Sequence, residues 1–263
     1  MRGLRKYLTP FAPDQSGAVS VLYELGGIIV ICDAGGCTGN VCGFDEPRWF
    51  ERKSAVFSAG LRDMDAILGR DDRLVAKLTD AAEKIDAGFA AIVGTPVPAV
   101  IGTDYRALRR MCEKKTDLPI LAIDTDGMEL YDKGEEKAYL ELFTVFAKEK
   151  YEVCEEKVGI LGMTPQDVSD LKAADKVREE LKKEGKEAIC YGMGDGLEAV
   201  ERASEVGKNI VVSAAALGVA KYLEKTFGTP YEIGYPAAGE LVPDFQGTFV
   251  NTRHFAVSGR LCE

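Results

Sequence analysis

The sequence predicts an α/β fold of two Rossmann-like domains, each a parallel sheet flanked by helices. Three observations predict it. Apolar runs of strand length alternate with longer segments of helical period. The alternation runs twice, with a break in the charged stretch KEKYEVCEEK, Lys148 to Lys157. Several helical segments also stop at a glycine, at Gly185, Gly207 and Gly228. Such alternation implies parallel strands joined by right-handed crossovers.

In the first domain, residues 1–151, the apolar run GIIVICD gives a strand over Gly27–Asp33. A short strand is expected near Ala66–Leu68, then a helix over Arg73–Ile85. Strands follow at Phe89–Gly94 and Leu118–Asp124, with helices Tyr105–Lys115 and Glu135–Lys150 after them. The second domain, residues 152–240, opens with the strand Lys157–Met163. Its first helix, Ser169–Glu184, puts Leu171, Ala174, Val177 and Leu181 on one face and charge on the other. Then come strand Glu187–Tyr191, helix Leu197–Val206, strand Asn209–Ser213, helix Ala216–Phe227 and strand Pro230–Gly234. Residues 241–263 read as a connector or tail, leading toward a segment outside this sequence.

Composition narrows the function. The 263 residues are 46% apolar, enough for a substantial core. A net charge of −10 argues against nucleic acid as a partner and against an anionic membrane surface. Met1 to Phe11 is basic, but no apolar signal region follows it. The uninterrupted apolar runs fall short of the roughly 20 residues that span a bilayer. A cytoplasmic protein is expected, with its seven cysteines reduced. The single histidine, His254, excludes a multi-histidine zinc site, so metal ligation would rest on Cys, Asp or Glu.

The candidate chemistry lies in GIIVICDAGGCTGNVCGFDEPRWF, Gly27 to Phe50. Cys32, Cys37 and Cys42 are each five residues from the next. Cys37 and Cys42 occupy a glycine-rich loop in which the backbone can approach a bulky ligand closely. If a helix starts there, its amides would favour thiolate over thiol. Cys32 reads either as a third ligand or as a buried strand residue. Cys112, Cys154, Cys190 and Cys262 fall in helix, boundary, strand and tail and read as structural.

Four thiolates commonly hold a [4Fe–4S] cluster. One chain offers about half such a set, so two chains meeting at this loop would complete it. Phosphate binding by DAGGCTGN or by GMGDG is the weaker reading, since neither is GxGxxG and no GxxxxGK[ST] occurs. ATP hydrolysis by this chain is therefore not expected. GTPVPAVIGTDY, Gly94 to Tyr105, holds either a ligand pocket or an abrupt turn, stiffened by Pro96 and Pro98. Trp49 and Phe50 read as core or interface packing, or as cover for a docking surface.

Five stretches together resemble nitrogenase component 1, the family of the molybdenum–iron protein subunits, cofactor-assembly scaffolds and dark protochlorophyllide reductases. GGIIVICDAGGCTGN resembles its strand and Gly-Cys loop. FSAGLRDMDAILGRDDRLVAKLTDAAEKI resembles the segment leading through a glycine pair into a helix. AAIVGTPVPAVIGTDYRAL resembles its strand, Cys-Pro loop and helix. LPILAIDTDGM and KNIVVSAAALGVAKYLEKTFGTPYEIGYPAAG resemble the strand–turn segments that follow.

The resemblance implies a redox subunit paired with a homologous subunit in a homo- or heterodimer. It further implies a bridging iron–sulfur cluster and a separate ATP-hydrolysing iron–sulfur reductase. Cys37 falls on the family's Gly-Cys ligand, Thr95 on its Cys-Pro position, Phe11 near the upstream ligand and Ser213 on the cofactor-anchoring cysteine. The metal candidates are thus Cys37, Cys42 and Cys32. The cofactor-facing candidates are Gly36, Thr95, Asp124 and Ser213, with a substrate pocket expected near the last three. The family's third domain would begin about where this sequence stops. The leading reading is an oxidoreductase subunit that relays electrons to an unnamed substrate. A metallocluster scaffold and a metal-free binding module are its rivals.

Overall fold

In the computed structural model, residues 11–52, 54–69, 71–168, 170–237 and 240–242 are described. Ala12–Val145 form one compact unit, and the described residues from Phe146 on belong to another.

The first unit opens with helix α1, Asp14–Leu22, for which the sequence offered no periodic signal. All nine of its residues are buried, so no polar face exists to mark it as amphipathic. Strand β1, Ile28–Ile31, is buried throughout. After it come helix α2, Gly36–Asn40, a π-helical turn at Val41–Asp45 and a 3₁₀ turn at Pro47–Phe50. Strand β2, Ala55–Ser58, precedes helices α3, Asp63–Leu68, and α4, Asp71–Lys84. The remainder is β3 (Ala90–Val93), α5 (Pro96–Ile101), α6 (Tyr105–Glu113), β4 (Ile120–Ile123) and α7 (Tyr131–Phe146).

The four strands are parallel in the order β2-β1-β3-β4. On one face, Leu74, Val75 and Leu78 of α4 and Leu108 and Cys112 of α6 pack against Ile28, Val30, Ala90, Ile92 and Ile120.

Two expectations are corrected here. Ala66–Leu68 are not a strand but the end of α3, and the strand lies earlier, at Ala55–Ser58. The reason is local: the Asp65 carboxylate accepts from the Arg62 amide at 3.0 Å and closes a helical first turn. The expected helix Glu135–Lys150 runs instead from Tyr131 to Phe146.

The second unit holds β5 (Cys154–Leu161), α8 (Pro165–Val168), α9 (Ala173–Lys183), β6 (Glu187–Cys190) and α10 (Leu197–Glu201). A 3₁₀ turn, Ala203–Glu205, leads into β7, Val206–Val211. Helix α11 spans Leu217–Phe227, β8 spans Tyr231–Ile233, and β9 (Tyr235–Ala237) pairs antiparallel with β10 (Glu240–Val242).

The sheet order is β6-β5-β7-β8, all parallel, which repeats the connectivity of the first unit. The expected helix from Ser169 begins at Ala173, and Ser169 lies outside the described residues. The expected helix Leu197–Val206 ends at Glu201, because Val206 is drawn into the sheet as the partner of Cys154. The segment expected as a connector from 241 begins inside β10, and residues 243–263, with His254 and Cys262, lie outside the described residues. Among the described residues no helix is long and apolar enough to cross a membrane.

Candidate functional site

In each sheet the connections diverge between its two middle strands. The first sheet has its switch point between β1 and β3, the second between β5 and β7. In open parallel sheets such points form crevices at the carboxyl ends of the strands. The Gly-Cys loop after β1 and the Thr95 loop after β3 bound the first crevice. Ser213, after β7, stands at the second, in the position that Thr95 holds in the first.

The first site is built from Cys32 outward. Its amide donates to Val93 O at 2.8 Å and continues the ladder between β1 and β3. Its side chain is 2% exposed in the apolar core, and burial pushes its thiol up to about 12. Cys32 thus sits just past the strand with its thiol turned into the core, where burial favours the protonated form.

Asp33 comes next and is also buried. It accepts from the Thr38 amide at 2.7 Å, the Thr38 hydroxyl at 2.9 Å and the Ser58 hydroxyl at 2.6 Å. These bonds pin the loop to the sheet and cap the start of α2. Gly35, at φ 118°, reverses the chain in a conformation that side chains disfavour. No atom lies within 4 Å of where a Cβ would stand on Gly35, Gly36, Gly39 or Gly43, so this face of the loop is open.

Cys37 is half-buried on that loop. Burial raises its thiol above the ordinary range, the Asp33 charge adds to this, and the Thr95 hydroxyl opposes it. Thr95 is fully buried and donates to Cys32 O at 2.7 Å. Gly36, Cys37 and Thr95 are therefore brought together at the β1–β3 edge. A backbone amide does pull the Cys37 thiol toward thiolate, as expected, but it is the weaker influence. Helix α2 has only five residues, and burial outweighs its dipole.

Cys42 lies in the π turn and is 9% exposed. Its thiol is also raised, first by burial, then by Glu46 and Asp33. Phe44 in the same turn and Phe50 at the end of the following 3₁₀ turn are 84% and 78% exposed. Trp49 is partly exposed.

Asp124 ends β4 as an exposed carboxylate and pairs with Lys137 at 3.3 Å. Ser213, in the second unit, is buried and accepts from the Ala215 amide at 3.3 Å, capping a short 3₁₀ turn. A Cβ on Gly162 would press on Ser213, so the two loops of that crevice touch. GMGDG proves to be a tight turn: Asp195 accepts from the Cys190 amide at 2.6 Å and from Arg178 at 2.7 Å.

The sequence reading missed Asp33 as the anchor of the loop, and also the buried charges under Cys42. An acid directly at the end of a strand, in ICDAGG, was the available signal for the first. Among the described residues no three Cys, His, Asp or Glu side chains converge as a complete metal site. By chemistry, Cys37 suits a soft metal: it is reachable, and glycines leave room around it. Cys42 could add a second sulfur, whereas Cys32 is enclosed by core.

Residues 15–237 match the family described as Nitrogenase component 1 type Oxidoreductase, and the chain belongs to that family. Among its relatives, the nitrogenase iron-molybdenum cofactor biosynthesis protein NifE of Bradyrhizobium diazoefficiens is 23% identical over 182 residues, 67% of this chain and 32% of that protein. The NifE of Clostridium pasteurianum is 25% identical over 180 residues, 66% of this chain and 38% of that protein. The chain thus spans about a third of the length of these curated relatives. Two solved structures share the fold. "Nitrogenase Cp1 at pH 6.5" superposes with a TM-score of 0.71 at 19% identity over 89% of this chain and 47% of that chain. "Nitrogenase Cp1 at pH 5" does so at 0.70 and 19% identity over 89% of this chain and 49% of that one.

Proposed function

We propose that this member of the nitrogenase component 1 type family is a cluster-bearing subunit that passes electrons from a separate ATP-hydrolysing iron–sulfur reductase to a substrate. Cys37 and Cys42 would hold an iron–sulfur cluster together with thiols of a homologous partner subunit. One observation carries the reading: Cys37 is a reachable thiol on an open, glycine-faced loop, fixed by Asp33 at the switch point of a parallel sheet. When bound, such a cluster supplies one-electron transfer.

The chain's own residues do the rest. Asp33 and Ser58 fix the loop, and Thr95 ties it to β3. The exposed Phe44 and Phe50 offer apolar surface to a partner subunit. Gly36, Thr95 and Asp124 at the first sheet edge, and Ser213 at the second, are the proposed cofactor-facing positions.

A second reading, a scaffold that carries or matures a metallocluster, is favoured by the two NifE relatives, which are iron-molybdenum cofactor biosynthesis proteins. Turnover of a small molecule by the purified complex with a reductase and ATP separates the two, since a scaffold gives none.

Anaerobic purification tests the common core of both. Brown protein with about four irons per dimer is expected. Cys37→Ala should remove iron and colour, and Cys112→Ala, altering a core thiol, should leave them. Colourless, iron-free protein under strict exclusion of oxygen would overturn the proposal.

A further inference from the structure

The π turn that carries Cys42 rests on a buried ionic network. Arg48 is 1% exposed, and its guanidinium reaches in several directions at once. Nε donates to Glu46 Oε1 at 2.7 Å and Nη2 to Glu46 Oε2 at 2.7 Å. Nη1 donates to Glu24 at 3.1 Å, and Nη2 also donates to the Ser20 carbonyl at 2.6 Å and the Ser20 hydroxyl at 3.2 Å. The guanidinium carbon lies 4.9 Å from the centre of the Tyr23 ring. Arg52 joins Glu24 from the surface, and Tyr23 Oη donates to Arg52 O at 2.9 Å.

Burying these charges is a poor way to gain stability, since desolvation offsets most of the attraction. Such networks are better suited to fixing one geometry among several. Here the geometry is that of a π turn, a form rare in helices and frequent at functional sites. Glu46 closes that turn by donating its amide to Val41 O at 2.9 Å, while Arg48 grips its carboxylate. Asp45, the last residue of the turn, accepts from Ser16 and Asn40, each at 2.7 Å. Both ends of the attachment lead to α1, through Ser16 in one case and Ser20 in the other.

We infer that Arg48 is a positioning residue: its fork, gripping Glu46, Glu24 and Ser20, locks the π turn onto α1 and so fixes where Cys42 presents its sulfur. The inference rests on the proposed role of Cys42 for its purpose, but not for its test.

The test is alkylation of the metal-free full chain by iodoacetamide, read for each cysteine by peptide mass spectrometry. In Arg48→Met, Cys42 should label at least about tenfold faster than in the wild type, since losing even one charge-assisted bond from a local closure has an effect of that order. Cys112 and Cys190, both at 0% exposure, should stay silent. Arg48→Lys should fall between, because an ammonium cannot span all three partners at once. If Arg48→Met unfolds, Glu24→Gln, at the more accessible end of the network, replaces it with the same expectation in direction.

An unchanged Cys42 rate with the core thiols silent overturns the inference. So does labelling of Cys42, Cys112 and Cys190 together in both Arg48→Met and Glu24→Gln, which would make the network a general stabiliser. Iron-free wild-type protein would sink the cluster reading alone and leave this result standing.

Discussion

Asp33 receives three hydrogen bonds at the end of β1, one from an amide and two from hydroxyls. It is the side chain on which the placement of Cys37 depends. Asp33→Ala would leave Thr38 and Ser58 donors without their acceptor in a largely buried place. A loss of about 2–3 kcal/mol in urea denaturation is expected, together with loss of bound iron. Ser58→Ala removes one of the three bonds and also the acceptor of the Gly60 amide, and should cost about 1–2 kcal/mol while keeping iron.

Cys190 shows the same dependence on burial with no ligand involved. It is fully buried, and its thiol is pushed up to about 12 from an ordinary value of 9.0. The fold therefore holds this thiol protonated. Its contribution to stability is complete below about pH 9 and is lost as pH rises toward 12. The loss amounts to about 1.4 kcal/mol per pH unit in that window. Denaturation curves between pH 9 and 11 should accordingly be flatter for Cys190→Ala than for the wild type.

At the scale of elements, α1 is the instructive case. It crosses α7 so closely that a Cβ on Gly17 would collide with the Tyr131 carbonyl, and one on Gly134 with the Asp14 carbonyl. Asp14, at its start, accepts from the Asp126 and Gly127 amides at 3.0 and 2.7 Å and fixes the turn after β4. Gly17→Ala and Gly134→Ala should each destabilise by more than about 2 kcal/mol, since two backbones would have to separate. Gly218→Ala, in α11 with nothing near its would-be Cβ, should instead be neutral or stabilising by up to about 1 kcal/mol. Thermal melts of the three variants check the contrast. The helix escaped sequence reading because periodicity records a difference between two faces, and α1 has none. The strand expected at Ala66–Leu68 failed for the opposite reason. A short apolar run suits either structure, and one carboxylate at Asp65 tips it to helix.

At the scale of the molecule, the two sheets share one connectivity, and the first carries the open Gly-Cys loop with the exposed Phe44 and Phe50, the face proposed to meet a partner subunit. Phe44 is 84% exposed, so Phe44→Glu should leave the melting temperature unchanged. If the chain pairs through that face as proposed, light scattering should show the variant shifted toward monomer, and iron should fall in parallel if the cluster is shared. Iron retained in a monomer would mean that a single chain holds it.

The sequence by itself determined the alternation of strands and helices, their division into two parallel sheets, and the Gly-Cys loop at a strand end. Those features are written in spacings of a few residues, and the periods of strand and helix read them directly. Only the tertiary structure decided that Thr95 sits beside Cys37, that Asp33 anchors their loop, that Cys32 is buried, and that Arg48 ties the turn of Cys42 to α1. The deciding contacts join segments distant along the chain: Thr95 meets Cys32, Ser58 meets Asp33, and Ser20 meets Arg48. Their partners are selected by burial, where a polar group must find whichever group the fold delivers.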